Sequence, residues 1–287
     1  MKVLVVLGLA LCASAYVAPG IQENSAVGII EKYVIPLGEK IRKAEEEMRL
    51  GRIVGGSAAG LGQFPYQAGL VISYEKIPGV GVCGGSLVSA DRVITAAHCW
   101  YDGFRQASEL TVVLGSITVF FGGTRIVTNR VVMHPNWTII NIRNDIAVIY
   151  LPQPVTFSGN IAPIALPSGS QLNEDFVGTT AVASGFGLTR DGTIEPNQFL
   201  SFVNLNVVSN RECGAFFLNI ADTVMCTRSP PGRNICSSDS GGPLAITRNN
   251  RPLLIGVVSF GGASCDAGLP SGYVRVTHYM EFINQNL

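Results

Sequence analysis

Residues 110–134 read LTVVLGSITVFFGGTRIVTNRVVMH. Three runs rich in Val, Ile, Leu and Phe are cut by Gly-Ser, Gly-Gly and Thr-Asn-Arg, and none is long enough to repeat an apolar face at helical spacing. Branched and aromatic side chains suit a pleated, half-buried surface, whereas glycine and asparagine supply turns. The same grammar runs outward in both directions: GSLVSADRVITAAHC (85–99), DIAVIYL (145–151), GTTAVASGFG (178–187), FVNLNVVS (202–209), PLLIGVVSFG (252–261) and SGYVRVT (271–277). About a dozen short strands in the 235 residues from 53 to 287 predict an all-β sandwich or a pair of barrels. Only the tail, HYMEFINQNL (278–287), reads as a helix.

The chain has 287 residues, 47% of them apolar, and no formal net charge. That is enough to bury a large core, and the lack of basic blocks gives no footing for nucleic acid. Residues 1–15, MKVLVVLGLALCASA, carry a positive start at Lys2, an apolar centre and a small-residue cleavage site. They read as a secretory signal peptide, too short to span a bilayer, so the expectation is a secreted, extracellular protein with no membrane anchor. Cys12 leaves with the signal. Six cysteines remain, Cys83, Cys99, Cys213, Cys226, Cys236 and Cys265, and an even count in an oxidising compartment predicts disulfides of undetermined connectivity. No Cys-x-x-Cys or clustered histidine supports zinc, so neither metal nor cofactor is expected.

Residues 16–52 have a different character: no cysteine, and after Pro36 an amphipathic, helix-like run, EKIRKAEEEMR (39–49). The segment ends at Gly51-Arg52, followed by the small apolar start Ile53-Val54-Gly55-Gly56. A cut after Arg52 would free an α-amino group on Ile53.

Three distant stretches carry chemistry. ITAAHCW (94–100) sets His98 after a β-branched strand, IRNDIAVIYL (142–151) sets Asp145 at the mouth of an apolar strand, and CSSDSGGPL (236–244) sets Ser240 in a glycine-rich loop. A serine hydroxyl becomes a good nucleophile when a base takes its proton. Histidine does so near neutral pH, and a buried carboxylate orients its ring. The chain has two other histidines, His134 in a turn and His278 near the terminal helix, both read as structural or solvated.

With these flanks, and with IVGG (53–56) and the PSGYVRV stretch (270–276), residues 53–287 resemble the secreted chymotrypsin-like serine proteases, most closely the digestive chymotrypsins of insects. The resemblance implies two six-stranded antiparallel barrels, roughly 53–165 and 166–287, with a C-terminal helix and the active site in the cleft between them. It implies His98 as general base and acid, Asp145 as its orienter and Ser240 as the acylated nucleophile. It pairs Cys83 with Cys99, Cys213 with Cys226, and Cys236 with Cys265. The N–H groups of Ser238 and Ser240 would form the oxyanion hole, and the Ile53 amine would pair with Asp239 once the prosegment is cut.

The family's primary pocket maps to Asn234 at its base, Gly261 and Ser271 on its walls, and Ser259-Phe260-Gly261 as a strand for the substrate backbone. Trypsin-like members hold Lys or Arg with a carboxylate at that base. None stands here, and Asp266 falls in a loop outside it, so large apolar or aromatic residues are the expected targets. SPPGRN (229–234) is one residue longer than usual, which brings Arg233 or Ile235 into contention for the same spot.

Ser238 departs from the family, which places glycine there. Any residue but proline supplies the N–H, but glycine tolerates backbone regions that serine does not. A catalytically impaired homologue that binds partners is therefore the rival reading, beside an elastase- or collagenase-like protease. Peptide or protein substrates, a trypsin-like activating protease and proteinaceous inhibitors are the implied partners of a monomer.

One compositional feature stands apart from any family. Residues 53–287 hold twelve arginines and a single lysine, Lys76, while Lys2, Lys32, Lys40 and Lys43 lie in the signal and prosegment. Lysine loses its charge near pH 10.4 and arginine beyond 12, so this surface would keep its positive charge in an alkaline fluid such as an insect gut lumen. Asn136-Trp137-Thr138 is a glycosylation sequon.

Overall fold

The computed structural model describes residues 28–49 (side chains to 46), 59–191, 199–228, 230–262 and 264–287. The signal peptide, Arg52 and Ile53 lie outside the described residues.

Among the described residues thirteen strands form, and they follow the apolar runs of the sequence. The first seven are β1 (Gln67–Tyr74), β2 (Val80–Leu87), β3 (Arg92–Thr95), β4 (Ala107–Leu114), β5 (Thr124–Thr128), β6 (Val131–Met133) and β7 (Ala147–Tyr150). They pair as one antiparallel sheet in the order β5-β4-β1-β2-β3-β7-β6. The two edges of this sheet are joined in the chain by Asn129 and Arg130 alone. β5 and β6 are therefore one bent strand, and the seven ladder segments make a six-stranded barrel. Thr128 Oγ1 donates to the Tyr150 carbonyl at 2.8 Å and the Tyr150 N–H donates to Arg130 at 2.9 Å, which holds the bend.

The second sheet closes outright as β10-β13-β12-β11-β8-β9. Its strands are β8 (Thr180–Gly185), β9 (Ser201–Val208), β10 (Val224–Arg228), β11 (Pro243–Arg248), β12 (Arg251–Gly261) and β13 (Ser271–Arg275). Closure pairs each strand on both sides, except that Ser259–Gly261 at the end of β12 run past the β11 ladder and pair with β13 alone.

Each barrel fills its inside with small and branched side chains. Leu70, Ile72, Leu87, Val112, Leu114 and Ile149 occupy the first, and Ala181, Leu205, Met225, Leu244, Ile255 and Tyr273 the second. A third cluster joins them: Ile94, Ile146 and Val148 meet Leu254, Val257, Val274 and Val276, together with Phe282 and Ile283 of the C-terminal helix (Met280–Asn284). That helix is tied to the first barrel, since Arg92 Nε donates to the Asn286 carbonyl at 2.8 Å and the Tyr150 hydroxyl to Asn286 Oδ1 at 2.9 Å. The barrels are locked together, and the cleft between them has fixed walls.

Disulfides join Cys83 to Cys99, Cys213 to Cys226 and Cys236 to Cys265. Each closes a short loop, worth about 3 kcal/mol in the chain-entropy account. N-terminal to the barrels, helix α1 (Ile35–Arg49) continues from a wider turn at Ile30–Val34 and lies on β2. No helix among the described residues is long and apolar enough to cross a membrane.

Candidate active site

His98 sits in a single turn, Ala97–Cys99, that follows β3, and the Cys83–Cys99 disulfide staples this turn to β2. Asp145 stands two residues before β7. Since β3 and β7 pair with Thr95 opposite Ala147, the ladder itself brings the two residues together. Asp145 Oδ1 accepts the backbone N–H of His98 at 2.9 Å, and Oδ2 lies 2.8 Å from His98 Nδ1. A further donor comes from the second barrel: Ser259 Oγ–H reaches Oδ2 at 2.5 Å. Ser259 occupies a register shift in the β12–β13 ladder, between Val258 and Phe260. The bulge turns its side chain out of the alternation and into the cleft.

His98 and Asp145 are both 1% exposed. Burial opposes charge on the imidazole, but the Asp145 charge and hydrogen bond outweigh it, helped by the Asp102 charge, and His98 ends above its ordinary pKa. With Nδ1–H committed to Asp145, Nε2 carries the lone pair. Nε2 is buried and has no hydrogen-bond partner among the described residues.

Ser240 lies in the loop before β11. Its carbonyl accepts the Gly84 N–H at 2.7 Å, and the next N–H, from Gly241, donates to Val258 at 2.8 Å, so the loop is held to both barrels at once. Gly241 has φ +81°, and a Cβ there would lie 2.2 Å from Thr95 Oγ1 and 2.5 Å from the Gly84 carbonyl. Only glycine lets the loop rest there.

Ser238 adopts φ +74°, the region that glycine enters freely. The side chain is buried and its hydroxyl has no partner among the described residues. Between the two serines, the Asp239 N–H donates to the Cys236 carbonyl, whereas those of Ser238 and Ser240 donate to no described residue. Two N–H groups one residue apart are thus left for a ligand beside Ser240.

The Asp239 carboxylate accepts the N–H of Gly187 and of Cys236, both at 2.9 Å. Gly185 and Gly187 lack a Cβ that would strike it. Desolvation pushes its pKa up to about 6 against the pull of those hydrogen bonds, so the carboxylate would gain from a cation.

His98, Ser238, Ser240, Asn234, Gly261 and Ser271 line one cavity of about 740 Å³. Asn234, rather than Arg233 or the core residue Ile235, presents the polar group there, and its carbonyl oxygen is fully engaged. Its Nδ2 donates to the Leu269 carbonyl at 2.8 Å, while Oδ1 accepts Ser271 Oγ–H at 2.8 Å and the Ile235 N–H at 2.9 Å. The exposed Asp191 carboxylate also borders the cavity and is bonded to Ser264 Oγ and the Cys265 N–H. Asp191, Cys236 and Cys265 cluster tightly enough for a metal, but both sulfurs are in a disulfide and offer no thiolate. Phe260 lies flat over Gly272 and stacks edge-on with Phe217.

Three features escaped the sequence reading: the Ser259 hydroxyl on Asp145, the charge of buried Asp102 near His98, and a cavity wall built by Tyr33, Pro36, Leu37 and Lys40 of the N-terminal segment. The Ser259 contact depends on a bulge and spans 114 residues, and the cavity wall joins the N-terminal segment to distant loops; Asp102 stands only four residues from His98, but its burial is set by the tertiary structure.

The trypsin family profile matches residues 53–283. A collagenase of Hypoderma lineatum is 39% identical over 243 residues, covering 84% of this chain and 89% of that protein. The brachyurin of Leptuca pugilator is 37% identical over 235 residues, covering 80% of this chain and 96% of its own length. A solved structure of HL collagenase superposes with a TM-score of 0.73 at 38% identity, over 82% of this chain and 98% of the other.

Proposed function

Because the chain belongs to the trypsin family and is a serine endopeptidase, we propose that it is secreted as a zymogen and activated by cleavage after Arg52. It then hydrolyses peptide bonds that follow large apolar or aromatic residues. His98 Nε2 takes the Ser240 proton as Oγ attacks the carbonyl carbon. Asp145 holds the ring and stabilises the imidazolium, which then returns the proton to the leaving amine. The Ser238 and Ser240 N–H groups bind the oxyanion. The freed Ile53 ammonium pairs with Asp239, whose raised pKa marks a carboxylate in need of a cation, and so fixes the nucleophile loop.

The observation that carries the specificity is Asn234. Its carbonyl oxygen already accepts from Ser271 and Ile235, so the pocket base offers neither a carboxylate nor a free acceptor to a basic side chain. Gly261 leaves the entrance open, since a Cβ there would meet only Ser271 Oγ at 3.6 Å. The arginine-for-lysine skew of residues 53–287 supports work in an alkaline lumen. A second reading, cleavage of collagen, is favoured by the relatives that bear the name collagenase.

The test is direct. Zymogen cut after Arg52 by trypsin is exposed to a fluorophosphonate, then assayed with Phe-, Leu- and Arg-anilides from pH 7 to 11 and with native collagen. Labelling of Ser240, preference for Phe or Leu and an optimum above pH 7.5 are expected. Preferred Arg cleavage would overturn the pocket assignment, an optimum at or below pH 7.5 the alkaline reading, and collagen left intact the second reading.

A further inference from the structure

The N-terminal segment does more than precede a cleavage site. Its turn and helix α1 are fitted to the barrels at five places. The buried Ile30 N–H donates to Asp102 Oδ2 at 2.9 Å, and Asp102, itself fully buried, caps Phe104 and Arg105 with its other oxygen. Glu31 accepts two hydrogen bonds from Arg105, at 2.9 and 3.2 Å. Glu39 accepts the Val80 N–H at 3.2 Å.

Gly38, a costly residue inside a helix, lies so close to β2 that a Cβ would stand 2.2 Å from the Val80 carbonyl. At the far end Glu45, 1% exposed, accepts the N–H groups of Val119 and Phe120, both at 2.7 Å. Between these anchors Leu37 and Ile41 pack with Val82, Val119, Phe186 and Leu188. A helix glycine placed for contact and a buried carboxylate with two backbone donors are features of a built interface.

The position of that interface matters. The acyl half of a substrate runs along Ser259–Gly261 with its side chain toward Asn234. The leaving half must pass on the other side of Ser240 and His98, over β2 and the Cys83–Cys99 turn. That is where α1 lies, and Lys32, Tyr33, Pro36, Leu37 and Lys40 wall the cavity that holds His98 and Ser240. Residues 16–52 contain no cysteine, so nothing covalent holds the segment once Arg52–Ile53 is cut.

We propose that residues 28–49 are a dedicated inhibitor of this protease, occupying the leaving-group side of the cleft and remaining a separable ligand of the mature domain after cleavage. This rests on the protease reading given above. The segment would limit activity near its site of release, where its concentration is high, and lose its hold on dilution.

The test uses zymogen cut after Arg52 and freed of its prosegment. A synthetic peptide of residues 28–50 is titrated against two substrates: an internally quenched peptide extending on both sides of the scissile bond, and a Phe-anilide with nothing beyond it. Competitive inhibition of the extended substrate is expected, ~10-fold or more weaker toward the anilide, with the peptide recovered intact by mass spectrometry. Gly38→Leu and Ile41→Asp peptides should lose inhibition by a similar factor.

Cut but unseparated wild-type zymogen should gain specific activity toward the extended substrate on dilution, whereas Ile41→Asp zymogen should be fully active at once. Inhibition by the variant peptides equal to wild type, equal inhibition of both substrates, or cleavage of the peptide as a substrate would each overturn the proposal. So would dilution-independent activity of the cut wild type. If the freed domain cleaves neither substrate and takes no fluorophosphonate, the protease reading fails instead.

Discussion

Ser238→Gly should stabilise the protein and leave its turnover nearly unchanged. At φ +74° the serine bears a left-handed strain of roughly 1–2 kcal/mol, and its buried hydroxyl, without a partner among the described residues, costs about 1–3 kcal/mol more. Glycine removes both and returns about 0.5–1 kcal/mol to the flexibility of the unfolded chain. The net gain is on the order of 1–4 kcal/mol. For a domain of this size 1 kcal/mol moves Tm by about 2–4 °C, so thermal melting should show a rise of several degrees.

Ser238→Ala separates the contributions, because it removes the hydroxyl and keeps the strain. Its gain should be about 1–3 kcal/mol, with the backbone share absent. Turnover is the complementary readout. Serine already holds the glycine-like conformation and leaves its N–H undonated, so kcat of Ser238→Gly should stay within about threefold of wild type. A rise of ~10²–10³-fold would mean that serine had turned one oxyanion donor away, and an unchanged or lowered Tm would refute the strain argument.

Three further outcomes are expected. Ser259→Ala removes a donor to the buried Asp145 carboxylate, worth about 1.5–3 kcal/mol, so kcat should fall ~10-fold with little change in KM, and the acid limb of the pH–rate profile should move up as the less-solvated carboxylate holds the imidazolium harder. Docking of the prosegment should weaken with rising pH. Burial raises Glu45 from 4.5 free to about 7 docked, so its contribution is full below pH 4.5 and is lost as pH rises through 7, on the order of 3 kcal/mol in all; Arg125 faces the carboxyl and offsets part of the burial. Calorimetric titration of the 28–50 peptide at pH 5, 7 and 9 should show this slope, and Glu45→Gln should flatten it. Gly261→Val places its side chain over the pocket mouth without striking backbone, so the protein should fold with unchanged Tm yet lose Phe-anilide hydrolysis by ~10²-fold while keeping an Ala-anilide.

The strands were legible because alternation and turn chemistry are local properties. Val112, Ile149, Val182 and Leu254 stand in strands whose runs announce themselves within a few residues. The helical character of residues 39–49 was legible for the same reason, and α1 includes it. The strand count was less so. The bend at Asn129 and Arg130 divides one strand into two ladder segments, and whether a sheet closes on itself is decided by partners far away in the chain.

The sequence by itself determined the chemistry available: a histidine, a carboxylate and a serine in flanks specific enough to name a family, six cysteines to brace them, and a single lysine in residues 53–287. Tertiary structure decided how those groups are used. It set Ser259 on Asp145 through a bulge, filled the Asn234 carbonyl so that the pocket base offers no free acceptor, and held Ser238 in a glycine conformation. It also laid Gly38 and Glu45 against β2 and the Val119–Phe120 turn. The division has one physical cause. Propensity and patterning act over a few residues and can be read along the chain, whereas hydrogen bonds, desolvation and close packing depend on distances in space that only the closed barrels fix.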